Sequence, residues 1–85
     1  MEVFVFDTHV KSSCGKYLHF DVFLHERSDQ KARDVANEFI TSQGIEASEL
    51  ALNQCDFCHR EMANPAVASH ILQHGSYILP MEGCR

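Results

Sequence analysis

The sequence near the amino terminus predicts a β-hairpin, and this feature constrains the fold more than any other. Residues 2–10 (EVFVFDTHV) are rich in β-branched and aromatic residues, and residues 16–25 (KYLHFDVFLH) alternate between an apolar and a mixed face. A loop over residues 13–15 would place its glycine in the left-handed position that three-residue hairpin loops favour. The resulting register pairs Ser12 with Lys16. It gathers seven apolar side chains on one face: Phe4, Phe6, Val10, Leu18, Phe20, Val22 and Leu24.

Two helices and two further strands are predicted downstream. Ser28 is a suitable N-cap for a helix over residues 29–43, and residues 49–55 (ELALNQC) favour a short strand. The second helix covers residues 65–74, because Asn64 suits its N-cap and Pro65 its first helical position. Residues 76–83 (SYILPMEG) are typical of a strand at a sheet edge, where proline is tolerated. The first helix has an apolar stripe at helical spacing, formed by Ala32, Val35, Ala36, Phe39 and Ile40.

These elements follow the order ββαβαβ, and a chain of 85 residues suffices for one domain with one core. Because each helix joins two strands as a crossover, we expect strands two, three and four to be parallel, with the hairpin adding one antiparallel strand. The sequence thus predicts a single α+β domain over residues 1–85. It is a two-layer sandwich, in which a mixed four-stranded sheet carries both helices on the face of Phe4 and Phe20. The alternative is one helix on each face.

Composition excludes several classes of protein. The formal net charge is −5, whereas general nucleic-acid binding needs a surplus of basic residues. No apolar run approaches the roughly 20 residues of a membrane-spanning helix. The sequence has no basic stretch followed by an apolar one, the pattern that would indicate export. We therefore expect a cytoplasmic protein whose four cysteines stay reduced.

Two cysteines and a histidine fall within the segment CDFCH: Cys55, Cys58 and His59. The spacing matches c-type haem attachment, but attachment normally needs export. A redox role needs a thiol of low pKa, usually at a helix N-terminus, and the predicted helix begins roughly one turn too late, near Asn64. Zinc is better supported, because two thiolates at this spacing bind one side of a tetrahedral ion. The remaining alternative is that these thiols only pack.

Two sets of residues would complete such a zinc site. His70 and His74 would give a spacing close to that of a zinc finger, although the spacer is one residue short and the finger's core residues are missing. The other set is His59 with Cys84. If strands three and four are parallel, Cys55 and Cys84 lie at carboxyl ends on one edge of the sheet. We therefore predict a zinc site formed by Cys55, Cys58, His59 and Cys84.

A second cluster is predicted on the hairpin. The register puts Asp7 opposite Asp21 and His9 opposite His19, on the face away from the apolar set. Two carboxylates and two imidazoles within cross-strand reach suit a divalent metal or acid–base chemistry. The alternative is a solvated sheet face, because alternation predicts polar residues there in any case.

The same face is also predicted to be an interface. It carries four large side chains among the polar ones: Val3, Val5, Tyr17 and Phe23. A mixed apolar and polar face of this kind is typical of an interface, and we expect these residues to be partly exposed in a monomer. The hairpin face would then form a homodimer.

Five segments together resemble a family of small bacterial proteins of unknown function: VFDTHV, HFDVFL, CDFCHRE, NPAV and MEGC. The resemblance covers nearly the whole chain. It places a signature on Cys55, Phe57, Cys58, His59 and the segment 81–84, and it does not include His70 or His74. It implies a small α/β domain, adds weight to the pairing of Cys84 with residues 55–59, and implies no established activity.

Two functions remain open from the sequence. One is a small metal-dependent or thiol-dependent domain, with zinc as the expected cofactor. The other is a structural or interaction domain, dimeric and without metal or catalysis. No nucleophile–base–orienter set, phosphate loop or cofactor fingerprint is present, so the sequence does not favour an enzyme.

Overall fold

The computed structural model describes residues 1–46, 48 and 50–84. The predicted order ββαβαβ and the α+β class are confirmed. Neither helix of the described chain is long and apolar enough to cross a membrane. The elements are β1 (Glu2–Ser12), β2 (Tyr17–Leu24), α1 (Asp29–Ser42), β3 (Leu50–Met62), α2 (Pro65–His74) and β4 (Tyr77–Glu82).

The hairpin has the predicted register. The backbone N–H of Ser12 donates to the Lys16 carbonyl at 2.8 Å, and Gly15 has a φ of 92°. Asp7 lies opposite Asp21 and His9 opposite His19, as the alternation predicts. Loop chemistry and hydrophobic pattern are both local, and together they determine this part of the fold.

Helix α1 covers the apolar face of the hairpin. The Ser28 hydroxyl accepts the backbone N–H of Lys31 at 3.2 Å, which caps the first turn. The predicted stripe faces the sheet, and the Phe39 ring lies 4.7 Å from that of Phe20, centroid to centroid. The core on this side consists of Phe6, Val10, Leu18, Phe20, Val22, Leu24, Ala32, Ala36, Ile40 and Ile45.

Helix α2 packs on the opposite face, so the prediction of both helices on one face is wrong. Its Ile71 is 1% exposed and forms a second core with Val3, Val5 and Phe23. The physical reason lies in β1, where apolar side chains occupy both faces near the amino end, so both faces need a cover. The molecule therefore has three layers.

Burial under α2 also corrects the expectation of an exposed hairpin face. Val3 and Val5 are fully buried and Phe23 is 7% exposed, whereas Tyr17 remains 37% exposed. These apolar residues therefore form core rather than a free surface, and they no longer provide the reason for a homodimer through the hairpin face.

Every pairing in the sheet is antiparallel, so the predicted mixed sheet is wrong. The strand order is β3-β1-β2-β4. The α1 crossover takes the chain past β1, so β2 and β3 share a direction without being neighbours. As a result β3 and β4 form the two opposite edges and run in opposite directions.

Strand β3 is much longer than the predicted strand over residues 49–55, of which residue 49 lies outside the described chain. It pairs with β1 along its length, with one irregularity where Lys11 opposes Leu52 and Ser12 opposes Leu50. A second lies where Val5 opposes His59 and Phe6 opposes Phe57. Cys58 is the extra residue of this β-bulge. The CDFCH segment is thus part of an edge strand and not a loop.

Candidate metal centre

Three polar side chains converge on the sheet face that carries α2. They lie on the part of that face that the helix does not cover. Asp7 and His9 are two residues apart on β1 and so share a face, and His19 lies opposite His9 on β2. Each is partly buried, with between 26% and 39% of its side chain exposed. The hairpin therefore supplies all three groups from two adjacent strands.

The Asp7 carboxylate lies between the two imidazoles. His9 Nε2 is 2.8 Å from Asp7 Oδ2, and His19 Nε2 is 2.7 Å from Asp7 Oδ1. One ligand atom from each residue can be chosen so that all three lie within 4.8 Å of one another. In the described chain this is the only group of three or more His, Cys, Asp or Glu side chains with such spacing.

The hydrogen bonds show that Asp7 is ionised and which nitrogen of each histidine carries a proton. Burial alone would raise the pKa of Asp7, but the hydrogen bonds from His19 and His9 outweigh it and hold that pKa below its ordinary value. An ionised carboxylate only accepts, so both Nε2 atoms donate to it. In a neutral His9 the other nitrogen, Nδ1, then carries a lone pair.

Tyr17 completes this chain of contacts. Its hydroxyl lies 2.5 Å from His9 Nδ1, and the two rings stack with centroids 5.9 Å apart. Since Nδ1 has the lone pair, the hydroxyl of Tyr17 donates. From the sequence, Tyr17 was expected only at an interface. The signal was nonetheless present, because Tyr17 precedes His19 by two residues and therefore shares its face.

Asp21, the fourth member of the predicted cluster, is a neighbour rather than a converging ligand. It lies opposite Asp7, and its pKa is raised by burial first and by the negative charge of Asp7 second. Asp56 of β3 lies opposite Asp7 on the other side. Two acidic groups therefore flank the cluster, which favours occupation by a cation.

The predicted cysteine site is not assembled. Cys55 faces the α1 core, where Thr8 Oγ1 donates to its sulfur at 3.3 Å, and burial raises its pKa. Cys58 is exposed, and His59 lies opposite Val5, on the other face of the sheet from Cys55. Cys84, whose thiol donates to the His19 carbonyl at 3.6 Å, follows β4, which forms the opposite edge of the sheet. Its thiol thus lies against β2, two strand spacings from β3, and in the described chain no converging group of three ligands includes these residues.

The finger-like set is not assembled either. His70 and His74 are exposed on α2, with ring centroids 4.5 Å apart, and His70 also contacts Tyr77. They form no converging group with Cys55 and Cys58. The antiparallel arrangement leaves the two cysteines on an edge strand whose side chains alternate between the faces.

The MEGC tail has a steric role beside the cluster. A Cβ on Gly83 would lie 1.9 Å from the Tyr17 carbonyl oxygen, and Gly83 has a φ of 74°. Only glycine fits this close approach. The end of β4 thereby packs directly against the strand segment that carries Tyr17 and His19.

Comparison with known proteins gives a family without an assigned activity. The family model of a domain of unknown function, DUF2024, matches residues 1–81. The chain is similar to protein NE1680 from Nitrosomonas europaea, solved by NMR as a structural genomics target. The two are 41% identical, with 100% of each chain covered and a TM-score of 0.83. No curated protein matches. The chain belongs to the DUF2024 family of domains of unknown function.

Proposed function

We propose that this domain binds a divalent transition-metal ion, with zinc the first choice, through Asp7, His9 and His19. The observation that carries the proposal is the convergence of one carboxylate and two imidazoles on a single point of the sheet face. Two histidines and a carboxylate form a ligand set that zinc accepts with water in the fourth position. The same set suits non-haem iron, so iron is the second choice.

The geometry requires little rearrangement for binding. Ligand atoms around tetrahedral zinc lie roughly 3.4 Å apart, since the bonds are about 2.0–2.2 Å long. The Nε2–carboxylate distances are 2.7 and 2.8 Å, so the ion would separate these atoms by only roughly 0.6–0.7 Å. Replacing two hydrogen bonds with three metal bonds, one from each ligand, therefore requires only small movements of the side chains.

The charges around the cluster support a cation rather than an anion. The chain has a formal net charge of −5, and Asp21 and Asp56 flank the ligands. Partial exposure of all three ligands lets an ion enter from solvent. Three protein ligands leave one position for water or for a group from another molecule.

Zinc titration of chelator-stripped, reduced protein by calorimetry tests this proposal. We expect one strong site in the wild type and its loss in Asp7→Asn, His9→Gln and His19→Gln. His70→Gln with His74→Gln is the matched control, because it removes two exposed histidines from α2 and leaves the cluster intact. If that control abolishes binding while the cluster variants keep it, the proposed site is wrong.

Cobalt substitution distinguishes this site from the zinc site predicted at the cysteines. Thiolate ligands to Co²⁺ give intense near-ultraviolet charge-transfer bands, whereas nitrogen and oxygen ligands do not. We expect a Co²⁺ spectrum without these bands, unchanged when Cys55, Cys58 and Cys84 become serine. The alternative prediction, an interaction domain without metal, would be favoured if neither ion bound to the wild type.

A further inference from the structure

We infer that Tyr17 is a positioning residue of this metal centre, whose hydroxyl supports His9 in both the metal-free and the metal-bound state. The inference rests on the proposed function, because it concerns how a ligand of that site is held. It adds a residue outside the ligand set, from the neighbouring strand, with a defined hydrogen-bonding role.

The contact between Tyr17 and His9 is specific. The hydroxyl lies 2.5 Å from Nδ1, the ring nitrogen that does not face Asp7. The rings stack at 29°, so their packing fixes the imidazole plane as well as its distance. His9 is thus held from both nitrogens, by a carboxylate on one side and a phenol on the other.

The direction of this hydrogen bond must reverse when an ion binds. Without metal, His9 Nε2 donates to Asp7, so Nδ1 accepts from the Tyr17 hydroxyl. With metal, the Nε2 lone pair is directed at the ion, the ring proton resides on Nδ1, and Nδ1 donates to the phenol oxygen. Between the two states a neutral His9 changes only its tautomer.

A hydroxyl is well suited to this exchange because it both donates and accepts. A backbone carbonyl or a carboxylate, the usual partners of metal-bound histidines, would support only the metal-bound tautomer. Tyr17 can serve both states by rotating its O–H bond. It therefore keeps the imidazole oriented before the ion arrives, and the loaded state retains the same contact.

Calorimetric zinc titration of Tyr17→Phe tests the inference, since this change removes one oxygen and keeps the stacked ring. Loss of an outer partner of a metal-bound histidine typically weakens metal affinity by about 10–100-fold, and we expect about tenfold because Tyr17 is partly exposed. Tyr77→Phe is the matched control and should bind as the wild type does. These two are the chain's only tyrosines.

Nitrogen-15 NMR of the imidazoles gives a readout that a merely structural role would not change. In wild-type protein, zinc should convert His9 from the Nε2–H to the Nδ1–H tautomer, with Tyr17 hydrogen-bonded in both. In Tyr17→Phe the metal-free His9 should keep the Nε2–H tautomer that Asp7 sets, but its Nδ1 signal should shift because the hydrogen bond from the phenol is lost, while circular dichroism stays unchanged.

The outcomes separate this inference from the proposed function. Equal zinc affinity in Tyr17→Phe and wild type, with binding lost in His9→Gln, would overturn the inference and leave the metal site standing. Equal weakening by Tyr77→Phe would also overturn it, because the effect would not be specific to the contact with His9. No zinc binding by the wild type would refute both.

Discussion

The imidazole rings of His9 and His19 stack across the β1–β2 pair, with centroids 4.2 Å apart and planes 13° from parallel. Both direct Nε2 at one carboxylate, that of Asp7. Cross-strand stacking of this kind requires the register that the hairpin loop imposes. The hairpin register therefore positions the cluster without any ion, so its properties can be tested in the metal-free protein.

Acid should destabilise the metal-free protein partly through Asp7. Its pKa is lower in the folded state than its ordinary value of 3.8, so its contribution to stability is present above pH 3.8 and is lost as the pH falls through the folded pKa. We expect Asp7→Asn to lose less free energy of unfolding than the wild type below pH 3.8. Urea unfolding at several pH values measures this.

The groups around Asp7 determine how that experiment is read. His9 and His19 donate to it, and Asp21 and Asp56 lie on either side. The raised pKa of Asp21 acts in the opposite direction, because its contribution is lost as the pH rises through the folded value. The difference between wild type and Asp7→Asn measures the contribution of Asp7 together with the part of the Asp21 shift that Asp7 causes. An unchanged difference across this range would contradict the prediction.

Helix α2 should contribute to stability through one residue. Ile71 is 1% exposed against the second core, whereas its neighbour Leu72 is 74% exposed. We expect Ile71→Ala to lower the free energy of unfolding by about 2–5 kcal/mol. Leu72→Ala should change it by no more than about 0.5 kcal/mol. Similar losses from both would mean that α2 does not pack as described.

Removing metal should leave the fold intact. Both cores are built from apolar side chains on the two faces of the sheet, and neither includes a ligand of the proposed site. We expect circular dichroism to be unchanged by a chelator. Saturating zinc should raise the melting temperature of the wild type, by binding to the folded state alone, but not that of Asp7→Asn. Collapse to coil on chelation, as in zinc fingers, would refute this.

The two cysteines of the CDFCH segment should differ in reactivity. Cys58 is exposed, whereas Cys55 lies half-buried beside Thr8, and burial raises the pKa of its thiol. Because the thiolate is the reactive form, iodoacetamide should modify Cys58 before Cys55. Mass spectrometry of partly labelled protein measures the order, and unfolding in urea should abolish the difference. Faster labelling of Cys55 would contradict its placement.

The sequence predicted the polar cluster because all of its members lie on one hairpin. Period-two alternation and a three-residue loop fix the neighbours of Asp7 within a span of about 20 residues. The structure does not bring the predicted cysteine set together, because that set depended on which strands pair at long range. The choice of β1 as the partner of β3 leaves no signal in the local pattern of either strand.

The position of α2 could have been inferred from β1. Val3 and Val5 are apolar on the face where Asp7 and His9 are polar, so that face changes character along a single strand. An apolar segment beside a polar one indicates a partial cover, and α2 is such a cover. Only the assumption that all apolar residues serve one core obscured it.

Because of the bulge in β3, the effect of deleting one residue depends on where in the strand that residue lies. Every residue from Asn53 to Phe57 has a partner in β1, so removing Asp56 would transfer the side chains on one side of the gap to the wrong face. Cys58 has no partner in that register. Its deletion would leave Phe57 and His59 opposite their present neighbours in an uninterrupted ladder. Natural length variation between residues 53 and 62 of this strand should therefore be confined to that one position.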